Sequence, residues 1–293
     1  MKVRKAVIPA AGLGTRVLPA SKAVPKEMLP LADTPTIQYV IEEAVASGIE
    51  EVIIVTSTTK PEIENHFKDT PELREALERK GDTQKLEMLH RIETMANIRY
   101  TFQHERLGLG HAVLMAKELI GDEPFGVLLG DDLVVNQGGR PCMGQLIDAH
   151  EQFGGCVIAA MHIPHEQTQR YGVFDIEPGE GADPRAHRVR GLVEKPQPAE
   201  APSDLAIMGR YLLTPDIFEA LERTAPGAGG EIQLTDGIYA LRDRQPIWAY
   251  EFTGTRYDTG DPVGYVTTSL AFALQRPDLA PGVLAFIKSL ALD

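Results

Sequence analysis

Short, continuously apolar runs alternate with helical patterns over the first half of this sequence. Residues 3–10 and 51–57 are two such runs. Residues 35–48, between them, carry apolar side chains at helical spacing and end at Gly48, a residue suited to a left-handed helix cap. Strands without polar alternation are typical of parallel sheets that are covered on both faces. The pattern therefore predicts an α/β fold in which a mostly parallel central sheet is flanked by helices.

The second half of the chain has a different sequence pattern. Beyond about residue 163 the strand patterns are separated by loops rich in proline and glycine, and they lie at 171–176, 189–195 and 205–213. The charged segment 71–95 predicts a helical insertion outside the sheet. A chain of 293 residues that is 43% hydrophobic can bury a full core,. We therefore expect one domain over residues 1–293 that includes a smaller, β-rich part.

Charge and cysteine content exclude several classes of protein. A net charge of −13 argues against a long basic surface for nucleic acid,, so an anionic ligand must meet a local basic patch. Cys142 and Cys156 have no CxxC or Cys/His spacing, which indicates two buried, reduced thiols and no zinc site. No apolar run approaches the roughly 20 residues of a membrane span, and the first one is too short and broken for a signal segment. We expect a cytoplasmic protein without membrane contact.

The loop after the first strand holds two glycines and two cations. Gly12 and Gly14 match the start of the dinucleotide fingerprint GxGxxG, but Val17 stands at its third glycine position, and no GK[ST] of a Walker A loop follows,. The amides of such a glycine turn can surround phosphate oxygens, and Arg16 adds a planar fork. Prolines on both sides of Lys26 stiffen its segment. These features suit a triphosphate; the alternative is an ordinary strand-to-helix turn with solvated charges.

The stretch AAGLGTRVLPASKAVPKEMLPL closely resembles the signature of the bacterial UTP–glucose-1-phosphate uridylyltransferases, a group of the sugar-phosphate nucleotidylyltransferases. Later segments agree with that family in the same order along nearly the whole chain: FQHERLGLGHAV, LLGDD, YGVF, VEKP, GEIQLTDGI and YDTGDPVGY. The thymidylyltransferases are less similar, because their shorter GGxGTRL loop lacks the PKEMLP spacing.

The resemblance implies a fold, a reaction and partners. It implies a Rossmann-like nucleotidyltransferase sheet, with a nucleotide-binding half at about 1–162 and a sugar-phosphate half at about 163–293. It implies a magnesium-dependent reaction of UTP with glucose 1-phosphate that gives UDP-glucose and pyrophosphate. It also implies a homo-oligomer, either a dimer or a tetramer.

Two carboxylates stand where the apolar strand of LLGDD ends. Asp131 and Asp132 lie at the position where open α/β sheets keep their ligand crevice,. Magnesium is a hard cation that prefers one or two carboxylates together with phosphate oxygens and water. The alternative is a polar turn after a strand. The resemblance assigns the metal to Asp131 and Asp258 and places Asp132 in the nucleotide site.

The VEKP motif places Glu194 and Lys195 at the end of a strand, where a following proline bends the chain enough to bring both into one crevice,. By resemblance, Lys195 holds the sugar phosphate and Glu194 accepts hydrogen bonds from glucose hydroxyls. The alternative is a surface ion pair. Gly172 lets the backbone approach the sugar. Glu231 precedes a helix, where N-terminal capping is the plain explanation, and the resemblance adds it to the sugar site.

The nucleotide is expected to meet glycines and a side-chain amide. Gln103 has an amide that both donates and accepts, which matches the edge of a pyrimidine, and Gly108 would leave room for the base. The resemblance gives as the full set of nucleotide-binding positions Ala11, Gly12, Gly14, Glu27, Gln103, Gly108 and Asp132.

The mechanism follows from charge. The second pKa of a phosphate monoester is about 6, so glucose 1-phosphate is already a nucleophile at neutral pH and needs no general base. The chain must instead bring two polyanions together by positioning and electrostatics. We expect in-line attack on the α-phosphate, with pyrophosphate leaving toward the glycine loop. The expected catalytic residues are Arg16, Lys26, Asp131 and Lys195.

Three other functions are compared with this prediction. A nicotinamide-dependent oxidoreductase would also begin with a strand, a glycine loop and a helix, but the missing third glycine and the cation pair argue against it. A non-catalytic homologue would not be expected to carry the full set of charged motif residues. Thymidylyl or cytidylyl transfer stays open, since the shape of the base pocket cannot be read from one sequence.

Overall fold

The computed structural model describes residues 2–178 and 183–290. Its strands are β1 (Lys5–Pro9), β2 (Pro30–Leu31), β3 (Thr34–Pro35), β4 (Glu51–Thr56), β5 (Asn97–Phe102), β6 (Phe125–Leu128), β7 (Asp132–Val135), β8 (Cys156–His162), β9 (Gly172–Ile176), β10 (Ala186–Glu194), β11 (Leu205–Leu213), β12 (Ile247–Glu251) and β13 (Thr255–Asp258). Its α-helices are α1 (Thr36–Ala46), α2 (Pro61–Phe67), α3 (Pro71–Lys80), α4 (Thr83–Glu93), α5 (Leu109–Leu114), α6 (Lys117–Ile120), α7 (Cys142–Phe153), α8 (Asp216–Arg223), α9 (Leu234–Tyr239), α10 (Pro262–Gln275) and α11 (Ala280–Ser289).

One large sheet runs through the described part of the chain, in the order β5-β4-β1-β6-β11-β8-β12-β10-β9. The expected parallel pairing holds from β5 to β6. The prediction of a mostly parallel sheet is wrong for the other side, where β11 runs antiparallel to both β6 and β8, β10 runs antiparallel to β9 and β12, and β12 pairs with β8 in parallel. All nine residues of β11 are buried. A strand covered on both faces is continuously apolar whatever its direction, so the sequence pattern could not distinguish the two arrangements.

The two faces of the sheet bury separate apolar clusters, because successive side chains of a strand point to opposite faces. On one face, Ile8 of β1 belongs to a cluster with Ile37 of α1 and Leu146 of α7. On the other face, Val7 belongs to a cluster with Phe218 of α8. The predicted α/β layers, with helices on both faces of the sheet, are therefore confirmed.

The charged segment predicted as a helical insertion forms α3 and α4, and no residue of either helix is buried as a whole. These two helices pack against each other, and α4 also contacts α2. Cys142 and Cys156 are free and buried, and burial raises the pKa of the Cys156 thiol to about 11. In the described part of the chain, no helix has the length and apolar character needed to cross a membrane.

A small second sheet brings distant acidic residues together. Strands β7 and β13 pair in antiparallel fashion, and Asp258 is the register partner of Asp132. The backbone of Thr259 donates to the carbonyl of Asp131 at 2.9 Å. These contacts fix the turn after β6 against the end of β13, where the candidate site lies.

Candidate active site

An open cavity of about 580 Å³ lies between the turn after β6, the ends of β10 and β13, and the start of α9. Residues from both halves of the chain line it, among them Arg16 and Asp131 from the first half and Tyr171, Glu194 and Lys195 from the second. The structure thus brings predicted charged residues of four separate motifs to one space, while the predicted Lys26, Ala11, Gly12 and Gly14 are not among the residues that line it.

The glycine loop packs onto the segment that carries Lys26. Gly14 has a φ of 68°, which favours glycine, and its carbonyl accepts a hydrogen bond from Ser21 Oγ at 2.7 Å. A Cβ on Gly14 would lie 3.3 Å from the Cβ of Lys26. The backbone N–H groups of residues 11–14 donate to no residue that the structure describes. Arg16 follows with its side chain 66% exposed, so the loop offers open donors and an exposed cation.

Asp131 is the centre of a charge cluster. Lys26 Nζ lies 2.5 Å from Asp131 Oδ2, and the Arg16 guanidinium lies 3.8 Å from the same oxygen. Burial alone would raise the pKa of Asp131, but Lys26 and Arg16 hold it below its ordinary value. Burial likewise opposes the charge of Lys26, and Asp131 raises the pKa of Lys26 above its ordinary value. The aspartate and the lysine are therefore both charged.

Arg256 lines the cavity and donates hydrogen bonds to three other lining residues. Its Nε donates to Asp132 Oδ1 at 2.9 Å, and its two terminal nitrogens donate to Asp258 Oδ2 at 3.1 Å and to the hydroxyl of Tyr171 at 3.3 Å. Burial opposes its charge, but Asp132 and Asp258 raise the pKa of Arg256 above its ordinary value. Sequence reasoning missed this residue. Its spacing of two from Asp258 on a strand, which places both on one face, was the available signal.

Asp132 is tied into a row of buried charges. Its Oδ2 accepts the N–H of Gly209 at 2.9 Å, and it interacts electrostatically with Arg210 as well as with Arg256. Arg210 is fully buried, and its guanidinium lies 2.7 Å from Glu43 of α1. Charges of alternating sign therefore run from α1 to the cavity. Asp132 lines the cavity, but its oxygens are already engaged in this row, and its expected contact with the nucleotide stays a prediction.

The two expected metal ligands both come close to Gly260. A Cβ on Gly260 would lie 2.9 Å from Asp258 Oδ1 and 3.2 Å from both Asp131 Oδ2 and the Arg16 guanidinium. Two carboxylates that converge on one position suit a hard cation such as Mg²⁺. Among the described residues no group of three or more metal-ligating side chains comes together, so phosphate oxygens and water would complete the shell. Gly260 was also missed from sequence.

The VEKP motif delivers both of its charged side chains to the cavity. Glu194 Oε2 accepts from Thr235 Oγ1 at 2.8 Å, and Lys195 Nζ lies 3.1 Å from Glu194 Oε1. Lys195 has a φ of 48°, a left-handed conformation that costs free energy in a non-glycine residue and is often found at functional sites. A Cβ on Gly172 would lie 2.8 Å from Ile207 and 3.2 Å from Glu194. Gly172 therefore makes room for the side chains of Ile207 and Glu194, and the expected approach of its backbone to the sugar stays a prediction.

Gln103 and Gly108 do not line the cavity. The side-chain amide of buried Gln103 donates to the carbonyl of Gly108 at 3.1 Å and lies 2.9 Å from His111 Nδ1. A Cβ on Gly108, whose φ is 96°, would lie 2.7 Å from Glu231 and 3.0 Å from the carbonyl of Ile232. The absence of a side chain at Gly108 therefore accommodates a neighbouring loop, and contact of either residue with a base stays a prediction.

The capping explanation for Glu231 was wrong. Helix α9 begins at Leu234, and its cap position is Gln233, whose side chain makes no capping hydrogen bond. Glu231 is exposed and stands against Gly108 instead of lining the cavity. The segment after Glu231 is fixed to the Gly108 loop, because Ile232 donates to Leu107 and accepts from Gly110 at 2.7 and 2.9 Å. The sugar-binding role of Glu231 stays a prediction.

Glu27 packs against Gly130, the residue before Asp131, and does not line the cavity. Its carboxylate is 1% exposed, and Lys60 Nζ lies 3.0 Å from its Oε2. Burial raises the pKa of Glu27 and lowers the pKa of Lys60, and each charge opposes the shift of the other. Direct contact between Glu27 and a nucleotide stays a prediction, since the structure buries this side chain outside the cavity lining.

Comparison with known proteins identifies relatives that are similar to this chain over nearly its whole length. The sequence profile described as nucleotidyl transferase matches residues 5–274. The UTP–glucose-1-phosphate uridylyltransferase of Bacillus subtilis (strain 168) is 52% identical over 99% of this chain and 97% of the relative. A UTP-bound UGPase from Acinetobacter baumannii superposes with a TM-score of 0.91 at 38% identity, covering 98% of this chain and 99% of that one. A UDP-glucose pyrophosphorylase complexed with UDP-glucose gives a TM-score of 0.84 at 38% identity, covering 94% and 100%.

Proposed function

Because the chain belongs to the nucleotidyl transferase family and, within it, to the UTP–glucose-1-phosphate uridylyltransferases, we propose that it transfers the uridylyl group of UTP to glucose 1-phosphate. The products are UDP-glucose and pyrophosphate. The observation that carries this proposal is the single cavity in which Arg16 and Asp131 face Glu194 and Lys195. Its cations match two phosphate-bearing substrates, and Glu194 offers acceptors for sugar hydroxyls.

The cavity suits a reaction that needs no general base. In the described part of the chain, its lining holds no histidine, cysteine or serine, and each of its four carboxylates, Asp131, Asp132, Glu194 and Asp258, is paired with a cation. A phosphate monoester has a second pKa of about 6, so the sugar phosphate arrives as a nucleophilic dianion at neutral pH. The proposed step is in-line attack of a phosphate oxygen of glucose 1-phosphate on the α-phosphorus of UTP. The bond from that phosphorus to the bridging oxygen of pyrophosphate breaks, and pyrophosphate leaves toward the glycine loop.

The cations offset repulsion between the substrates. Two like unit charges about 4 Å apart repel by about 4 kcal/mol at an effective dielectric constant near 20, and several such pairs meet in this step. Arg16 and Lys26 stand on the triphosphate side, and Lys195 stands on the sugar-phosphate side. The open N–H groups of residues 11–14 add donors for phosphate oxygens,.

We propose that Asp131 and Asp258, whose carboxylates both approach Gly260, hold Mg²⁺ between them. When bound, the cation neutralises phosphate charge and orients the triphosphate. Arg256 and the N–H of Gly260 each bond one oxygen of Asp258, at 3.1 and 2.8 Å. These contacts fix the orientation of the carboxylate beside Gly260.

Three broader assignments go with the function. We propose that the sheet is a Rossmann-like nucleotidyltransferase sheet, that residues 1–162 bind mainly the nucleotide and residues 163–293 mainly the sugar phosphate, and that the protein is cytoplasmic. The parallel order from β5 to β6 supports the first of these.

We also propose a homo-oligomer. Helices α10 and α11 expose apolar side chains, including Val263 at 75%, Val266 at 63% and Phe286 at 63%, and α11 buries none of its described side chains. We expect sedimentation to give a mass of at least twice 32.1 kDa, and we expect Val263→Glu with Phe286→Glu to lower it. A monomeric wild type would contradict the proposal.

The function is tested with purified protein, Mg²⁺, glucose 1-phosphate and, separately, UTP, dTTP, CTP and ATP. We expect UTP to give the highest kcat/KM for pyrophosphate release. A higher value with dTTP would instead identify thymidylyl transfer, and no release with any nucleotide would contradict nucleotidyl transfer altogether.

Lys195→Ala is expected to raise KM for glucose 1-phosphate by about tenfold or more and to lower kcat, with a much smaller change in KM for UTP. The sugar phosphate would lose both its anchor and its alignment. Lys195→Arg should recover little, because a broad guanidinium does not replace a compact ammonium. Lys85→Ala, which removes another exposed lysine with an acidic neighbour, is the control and should leave the kinetics unchanged. Equal shifts in both KM values would indicate that Lys195 only forms a surface ion pair and does not hold the sugar phosphate.

A further inference from the structure

Two successive backbone carbonyls after β1 are held by side chains from other loops. The carbonyl of Ala10 accepts a hydrogen bond from Lys60 Nζ at 2.7 Å, and the carbonyl of Ala11 accepts one from Arg106 Nε at 3.2 Å. Lys60 follows β4, immediately before α2. Its side chain is buried, and it does not line the cavity.

The bond to Ala10 also sets the direction of the next amide. A trans peptide is planar, so the carbonyl of one residue and the N–H of the next point in opposite directions. With the Ala10 carbonyl turned toward buried Lys60, the N–H of Ala11 must point away from it. This N–H begins the series at residues 11–14 that donates to no described residue. Lys60 therefore fixes the orientation of the first donor of the glycine loop.

The same ammonium holds the segment that carries Lys26. Lys60 Nζ lies 3.0 Å from Glu27 Oε2, and Glu27 directly follows Lys26 in a short 3-10 helix. A Cβ on Gly130 would lie 3.1 Å from Glu27 Cγ. The Glu27 side chain therefore also packs against Gly130, the residue before Asp131. One buried cation thus connects the glycine loop, the segment of Lys26 and the turn of Asp131.

We propose that Lys60, supported by Glu27, is a positioning residue of the triphosphate site. It does not touch substrate; it fixes the open amides of the glycine loop and the place of Lys26, and so sets the affinity for the phosphates of UTP. This inference rests on the proposed function, because it requires the loop to bind a nucleoside triphosphate.

The test compares Lys60→Met with Lys5→Met. Methionine removes the ammonium and keeps an unbranched apolar side chain. Lys5 stands at the opposite end of β1, where its Nζ donates to the carbonyls of Leu119 and Ile120 at 3.1 and 2.9 Å, so its variant loses the same kind of bond away from the cavity. We expect Lys60→Met to weaken UTP binding in calorimetry by about tenfold or more and to lower kcat. KM for glucose 1-phosphate should stay within about twofold of the wild-type value, and Lys5→Met should change neither substrate.

Two further variants separate positioning from folding. Lys60→Met leaves the carboxylate of Glu27 buried without its partner, which destabilises a fold. Lys60→Met combined with Glu27→Gln removes that charge, so it should recover thermal stability without recovering UTP affinity. Glu27→Gln alone keeps an oxygen that can accept from Lys60, and its UTP affinity is the reference from which the further loss in the double variant is measured.

The outcomes are distinct. UTP affinity that is normal in Lys60→Met or in the double variant overturns the inference, as does an equal loss in Lys5→Met. A wild-type chain that binds UTP but releases no pyrophosphate contradicts the proposed reaction, and the affinity comparison still decides the role of Lys60. A wild-type chain that does not bind UTP overturns both.

Discussion

Asp131→Asn is expected to lower kcat by about 10³-fold, the upper end of the range for removing one electrostatic group from a preorganised site. Asparagine keeps the size of the side chain but removes the charge that faces Lys26, Arg16 and the space beside Gly260. The proposed Mg²⁺ would lose one of its two carboxylates. Binding of Mn²⁺ as a spectroscopic probe, measured without substrates, should weaken in parallel with kcat.

The fold should survive this change. Lys26 loses a charged hydrogen-bond partner, which typically contributes about 1.5–3 kcal/mol. The pKa of Asp131 is lowered in the folded chain, so this contribution is present above the ordinary aspartate pKa and is lost as pH falls through the folded value. The stability difference between wild type and variant should therefore shrink in acid. Asp148→Asn, at a surface pair with Arg140, is the control. Unchanged kcat and Mn²⁺ affinity in Asp131→Asn would refute the assignment.

Arg16→Ala should lower kcat by about 10²-fold, the scale seen when one donor to a developing charge is removed. The side chain is 66% exposed and lies 3.8 Å from Asp131, so thermal unfolding should hardly change. We expect KM for glucose 1-phosphate to stay near the wild-type value. Steady-state kinetics with each substrate varied in turn measure both effects.

Arg16→Lys is the informative companion. It keeps one positive charge but loses the planar fork that can contact two phosphate oxygens, so we expect partial recovery of kcat. If sugar-phosphate affinity collapses in Arg16→Ala while UTP handling is normal, Arg16 has been assigned to the wrong substrate.

The elements that the sequence predicted well are those with a local signal. The buried runs around β1 and β4, the apolar face of α1 and the charged insertion of α3 and α4 each follow from spacing within one segment. Strand direction in the second half does not, because β11 is buried on both faces and its partners are set by long-range contacts.

The residues of the candidate site also separate into those with a local sequence signal and those whose role depends on long-range contacts. Motifs identified its charged residues, but partners such as Arg256 for Asp258 and Lys60 for Glu27 depend on which strands and loops meet in space. Glycine is ambiguous for a related reason. A missing side chain shows only that something comes close, and at Gly108 the neighbour is another loop of the same chain.

The position of β11 in the sheet has a consequence for how the molecule unfolds. This strand comes from the second half of the chain but lies between β6 and β8 of the first half. A fragment that ends before β11 would leave the facing edges of β6 and β8 without their partner, so we do not expect either half to fold alone. The amide protons of β11 should exchange with solvent only when the whole sheet opens. A chain cut in an exposed loop should therefore stay assembled until it melts in one cooperative transition.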